Sequence, residues 1–120
     1  MAAAAGYVNR DWRPGEKIFV GSSLIYFTFK YYNKTQERAY LYAPGSMPHY
    51  SGTALLSQED IITSFAAETK TDDVVWMINT TGFGNYRPAV PQNWKTESEN
   101  SFREAYDYLG DVVITKYRVF

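Results

Sequence analysis

The chain contains no cysteine and a single histidine, His49. The first absence removes disulfides, thiolate nucleophiles and every Cys-containing metal site. The second removes multi-histidine metal clusters. No window approaches the roughly 18 continuous apolar residues of a membrane-spanning helix. Neither sign of charge is in excess, with twelve Lys plus Arg against thirteen Asp plus Glu. This balance argues against a dedicated nucleic-acid binder, whose affinity comes mainly from clustered cations, and no nucleic-acid partner is expected. Residues 1–7 lack a basic n-region and a strongly apolar h-region, and are not read as a signal peptide. A disulfide-free chain of 120 residues favours an intracellular or virion setting over secretion. Secretion is the only setting in which the sequons Asn33-Lys34-Thr35 and Asn79-Thr80-Thr81 would matter.

Aliphatic residues are also few. Ile, Leu and Val number 19, against eleven Tyr, seven Phe and three Trp. Aromatic side chains each bury about 150–250 Å², so few of them fill a small core. Tyrosine is an unusual filler, because its hydroxyl needs a partner wherever it is buried. An excess of Tyr over Phe points to half-buried positions, on a sheet face or at an interface with a wet edge.

Read along the chain, residues 1–15 form an Ala-rich arm and a turn punctuated by Asn9, Asp11, Pro14 and Gly15, with Trp12 as an anchor. The arm is expected to pack on a surface, of another chain or of its own. Residues 17–20 predict a short strand, ended by Gly21-Ser22-Ser23. Residues 24–32 read as the strongest strand, with Ile25, Phe27, Phe29 and Tyr31 on one face and Tyr26, Thr28, Lys30 and Tyr32 on the other. A polar turn at 33–36 returns the chain through 37–43 as the second arm of a hairpin. Residues 44–53 are a loop holding His49. Ser57 with Glu59 and Asp60 predicts a helix start whose apolar stripe, Ile61, Ile62 and Phe65, ends near Glu68. The non-alternating run 74–78 predicts a central strand covered on both faces. Residues 80–95 read as a long loop, of a length that in compact domains tends to be functional. Thr96 with Glu99 forms a capping-box pattern for a second helix, ended by Gly110. Residues 112–120 predict a final strand, which a crossover helix would make parallel to 74–78. The expected fold is a single α+β domain, mainly an antiparallel sheet with two short helices. An all-β sandwich or jelly-roll-like arrangement is the alternative.

The stretch Ile18-Phe19-Val20-Gly21-Ser22-Ser23-Leu24-Ile25-Tyr26, with Trp12 upstream, resembles the strand-turn-strand phrase of plant cupredoxins, although a Ser stands at the family's Asp. That family's copper site takes two histidines and a cysteine, which this chain does not possess. The nine residues are read as shared hairpin grammar rather than kinship.

No catalytic constellation emerges. His49 has no nucleophile at a recognisable spacing. The pairs Glu59–Asp60 and Glu97–Glu99 fall where helix first turns favour acids, and Asp72–Asp73 reads as a solvated turn. Gly82-Phe83-Gly84 lacks the third glycine and the following helix of a phosphate cradle. No catalytic, cofactor or metal residue is assigned, and the chain is read as not an enzyme. What remains is surface recognition. If residues 24–32 and 37–43 pair as strands, Tyr26, Tyr32, Arg38, Tyr40 and Tyr42 form an exposed aromatic and basic stripe. Trp12, Phe83, Tyr86, Arg87 and Trp94 share its character, and Tyr, Trp and Arg concentrate at protein interfaces. The expected function is that of a non-enzymatic structural or interaction subunit of a larger assembly, such as a virion head or tail component. Its partners would be proteins, as a homo-oligomer or within a larger complex. A small carbohydrate-binding module using Tyr and Trp platforms is the alternative.

Overall fold

In a computed structural model of the chain, residues 1–42, 60–81, 88–103 and 110–120 are described. Their elements in chain order are α1 (Ala2–Asp11), β1 (Lys17–Val20), α2 (Ser23–Tyr32), β2 (Ala39–Tyr42), β3 (Ile61–Ile62), α3 (Phe65–Glu68), β4 (Val74–Thr80), β5 (Trp94–Arg103) and β6 (Asp111–Val119). The six strands form one sheet in the order β3-β2-β1-β4-β6-β5. β1 runs parallel to β2 and to β4, and β2 runs parallel to β3. β6 runs antiparallel to β4 and to β5. The fold is thus α+β with a mixed sheet, not the mainly antiparallel one expected.

The expected strand at 24–32 is the helix α2. Rings or aliphatic side chains stand at seven of the nine positions 24–32, so an apolar face can be drawn at either period. The burial pattern selects 3.6: Ile25, Tyr26 and Phe29 are buried, while Thr28, Lys30, Tyr31 and Tyr32 face outward. With a helix between them, β1 and β2 become a parallel pair joined by a crossover, and the expected hairpin is absent. The cupredoxin-like phrase is accordingly strand-turn-helix.

The expected second helix is, through Arg103, the edge strand β5, and residues 104–109 lie outside the described set. Thr96 and Glu99 do not cap. Glu97 instead pairs across the ladder with Arg118 (2.6 Å) and Lys116 (3.9 Å), and Glu99 accepts from the Thr115 hydroxyl (2.8 Å). The capping-box pattern is a local signal, and here cross-strand pairs overrule it. Without the crossover helix, β6 pairs antiparallel to β4 rather than parallel. The helix expected from Ser57 to Glu68 resolves, from Asp60 onward, into β3 and the short α3. Ser64 caps α3, its hydroxyl accepting from the Ala67 N–H at 3.3 Å.

Other expectations hold. β1 spans the expected 17–20. β4 is the central strand, with residues 75–80 all buried, and β6 occupies the expected terminal position.

The N-terminal arm is the helix α1, and it packs on its own chain. Ala4, Ala5 and Val8 are fully buried in the cluster with Ile18, Val20, Phe29, Trp76, Ile78 and Ile114. Small side chains let α1 approach the sheet closely beside α2. The turn into β1 uses Gly15 at φ +92, a left-handed conformation that favours glycine. Glu16 locks this junction. Its Oε1 accepts from the Arg13 N–H (2.9 Å) and from the buried Trp76 Nε1 (2.9 Å), and its carbonyl accepts from Trp12 Nε1 (2.8 Å).

The opposite face carries most of the other rings. Phe65 stacks on Tyr42 (3.9 Å between centroids), lies 4.9 Å from Trp94 and 5.8 Å from Phe19, and Trp94 meets Tyr117 at 5.5 Å. Under α1, Tyr7 contacts Trp76 edge-on at 5.7 Å and Phe102 at 5.6 Å. These two aromatic layers account for much of the unusual composition. Of the large hydrophobic side chains among the described residues, Tyr31 (80% exposed), Phe120 (60%) and Tyr32 (37%) remain in solvent.

Candidate functional site

β2 sets the site. Its period of two turns Ala39 and Leu41 under α2 and sends Tyr40 and Tyr42 to the α3 face. There, toward the amino ends of β1 and β2, an open cleft of about 320 Å³ is lined by Lys17, Phe19, Glu37, Tyr40, Ile62 and Glu68. Tyr40 is half-buried, and the Arg38 guanidinium stands over its ring at 5.5 Å. Arg38 also pairs with Asp60 at 2.6 Å, and the Asp60 carboxylate is almost wholly buried. On the other side of the sheet, the buried Tyr26 hydroxyl donates to the Ala39 carbonyl at 2.8 Å. Burial, and next the negative charge of Asp60, push the Tyr26 phenol up to about 12, with Arg38 opposing. Tyr26 therefore stays a neutral donor across the physiological range.

The cleft offers a ring face, apolar walls, two carboxylates and one ammonium. That is recognition chemistry: apolar contact plus hydrogen bonds of both polarities. A shallower dish of about 500 Å³ lies by the C-terminal end of α1, lined by Arg10, Asp11, Trp12, Arg13 and Lys116. Lys116 is shared there with Glu97 (3.9 Å) and with the Trp76 ring (5.2 Å).

The expected stripe does not exist as a single face. Arg38, Tyr40 and Tyr42 do lie together beside the cleft, but Tyr42 is spent in the stack on Phe65. Tyr26 is fully buried behind the sheet, and Tyr32 is exposed at the far end of α2, edge-on to Tyr31. Trp12 is half-buried at the α1–β1 junction, where it packs against the core and donates to the Glu16 carbonyl, anchoring the turn on its own chain. Trp94 is 5% exposed within the α3-face aromatic layer. Phe83, Tyr86, Arg87 and His49 lie outside the described residues. Among the cleft residues, Lys17, Glu37 and Glu68 went unnoticed in the sequence, where each is an isolated charge. Only the parallel register of β1 with β2 and the return of α3 bring them together.

A search of protein-family models finds none that matches the chain, and no curated protein matches it.

Proposed function

We propose that the chain is a non-enzymatic interaction module, a subunit that acts by covering surface in a larger assembly. The observation that carries this reading is the Tyr31–Tyr32 pair. Two rings in T-shaped contact (5.0 Å) stand in water at the end of α2, next to the exposed Lys30, on a chain whose other described rings, Phe120 apart, are buried or half-buried. Exposed tyrosine is enriched in interface cores, where such rings are buried by a partner, while a lysine such as Lys30 belongs to the polar rim. Sedimentation or light scattering over a concentration series tests this for self-association. The association measured for the native chain should be lost in Tyr31→Ser/Tyr32→Ser with unfolding unchanged. A native chain that stays monomeric throughout, and draws no protein partner from co-expression, refutes it.

The cleft supports a second reading, a small carbohydrate-binding module. Tyr40 supplies the stacking face, while Glu37, Glu68 and Lys17 supply acceptors and a donor for hydroxyls. Tyr40→Ala should then abolish saturable sugar binding on a glycan array. Silence of the native chain across sugars removes the reading.

A further inference from the structure

The cleft beside Tyr40 carries charges that the chain does not neutralise. Its apolar lining comes from Phe19 and Ile62, both buried, and its charged lining from Glu37, Glu68 and Lys17. Among the described residues, none of these three makes an ion pair. Arg38, the other cation beside Tyr40, is engaged by the buried Asp60 carboxylate at 2.6 Å. Two carboxylates and one ammonium therefore face the same space, with negative charge in excess.

Glu37 is set in place from the backbone up. Its N–H donates to Thr35 Oγ1 (3.1 Å), and its carbonyl accepts from Asn33 Nδ2 (2.9 Å). The turn before it holds Gln36 at φ +68, a left-handed conformation that residues other than glycine adopt only where the surroundings impose it. Glu37 is half-buried at the edge of the cleft. A neutral sugar laid on Tyr40 would strip water from this carboxylate and return only hydroxyls. Covering a charge without an opposite one is costly, and charge-assisted hydrogen bonds are roughly twice as strong as neutral ones. A ring that carries an ammonium offsets the lost hydration, and an uncharged ring does not. The cleft, about 320 Å³, is at the lower end of the range for small-molecule sites, which suits one ring rather than an extended chain.

We propose that the cleft is selective for a sugar bearing a free amino group, with the sugar ring on Tyr40 and the ammonium held by Glu37 and Glu68. This rests on the carbohydrate reading and narrows it. The ligand is a cationic amino sugar, and neutral or N-acetylated sugars are disfavoured because they leave the two carboxylates covered and uncompensated.

Nitrogen–proton correlation spectra test it, with glucosamine, N-acetylglucosamine and glucose titrated separately into the whole chain at about pH 6 and low salt. Glucosamine should shift the amides of residues 37–40 and 68 saturably, with roughly tenfold higher affinity than either neutral sugar, about 1.4 kcal/mol. High salt should shrink that advantage, because it screens charges at an open site. Glu37→Gln/Glu68→Gln keeps an amide oxygen at each place and removes both charges. It should bind glucosamine roughly tenfold more weakly than the native chain does, and no better than glucose. If that variant does not fold, the salt dependence of the native chain is the deciding measurement. Equal affinity for the three sugars, tighter binding of N-acetylglucosamine, a preference indifferent to salt, or one that survives in the folded variant overturns the inference and leaves the carbohydrate reading standing. No saturable shift with any of the three removes both.

Discussion

Replacing Glu16 by alanine strips the α1–β1 junction of its central acceptor. Glu16 is 9% exposed, and its Oε1 serves both the Arg13 N–H and Trp76 Nε1. The two losses are unequal. Arg13 is exposed, so water replaces the carboxylate at its N–H. Trp76 is 1% exposed, and its indole N–H is left buried and unpaired. A hydrogen bond to a charged acceptor contributes about 1.5–3 kcal/mol, and orphaning a buried donor costs about 1–3 kcal/mol. Glu16→Ala should therefore destabilise by about 3 kcal/mol. Glu16→Gln keeps an oxygen able to accept both bonds and should cost about 1 kcal/mol. At about 2.1 cal/mol/K per residue, 120 residues give an unfolding entropy of about 0.25 kcal/mol/K, so the alanine variant should melt roughly 12 °C lower. Urea unfolding followed by far-ultraviolet circular dichroism gives the free energies. The discriminating measurement is a double-mutant cycle with Trp76→Phe, which removes the donor. In that background the cost of Glu16→Ala should fall by at least about 1 kcal/mol. Equal cost in both backgrounds, or alanine and glutamine variants of equal stability, refutes the role given to the Glu16–Trp76 bond.

Gly21→Ala drives a methyl into the Asn79 amide and should cost about 1–3 kcal/mol; Asn79→Ala in the same chain should return part of that, measured by thermal unfolding. Tyr26 gives a pH signature. Its folded value, about 12, lies above the ordinary 10, so the unfolded chain loses this proton first. The contribution is full below pH 10 and is lost as pH rises toward 12, by up to about 2–3 kcal/mol at 1.36 kcal/mol per unit. Tyr26→Phe should flatten that slope relative to the native chain in urea titrations between pH 9 and 12. Parallel slopes in the two chains count against the buried, neutral phenol.

The strands that were legible are those whose residues serve one environment. Residues 74–78 are an unbroken apolar run, and such a run suits a strand buried on both faces, which β4 is. In β6 the apolar, buried start at 112–114 carried the same signal, although Lys116, Tyr117 and Arg118 beyond it are only half-buried. The failures fall where the local pattern carries two solutions. In α2, Ile25, Tyr26 and Phe29 can be grouped by 3.6 or split by 2, and Tyr, Phe and Thr are strand-preferring residues. In β5, Thr96 and Glu99 fit a cap as well as they fit cross-strand partners. The cleft shared this fate: Tyr40 and Arg38 were singled out, but from a hairpin that does not form, and Lys17, Glu37 and Glu68 carried no local signal at all.

Composition alone decided what chemistry the chain lacks. Without cysteine and with one histidine, no arrangement of these residues builds a disulfide, a thiolate nucleophile or a copper site of the cupredoxin kind, because those groups are made of atoms the chain does not have. Composition also decided that the interior would be aromatic. Which rings go inside was a tertiary decision. It turned on the parallel pairing of β1 with β2: a parallel neighbour needs a connection that crosses the sheet, so residues 23–32 coil into a helix over it. That one crossover buries Tyr26 and leaves Tyr31 and Tyr32 in water.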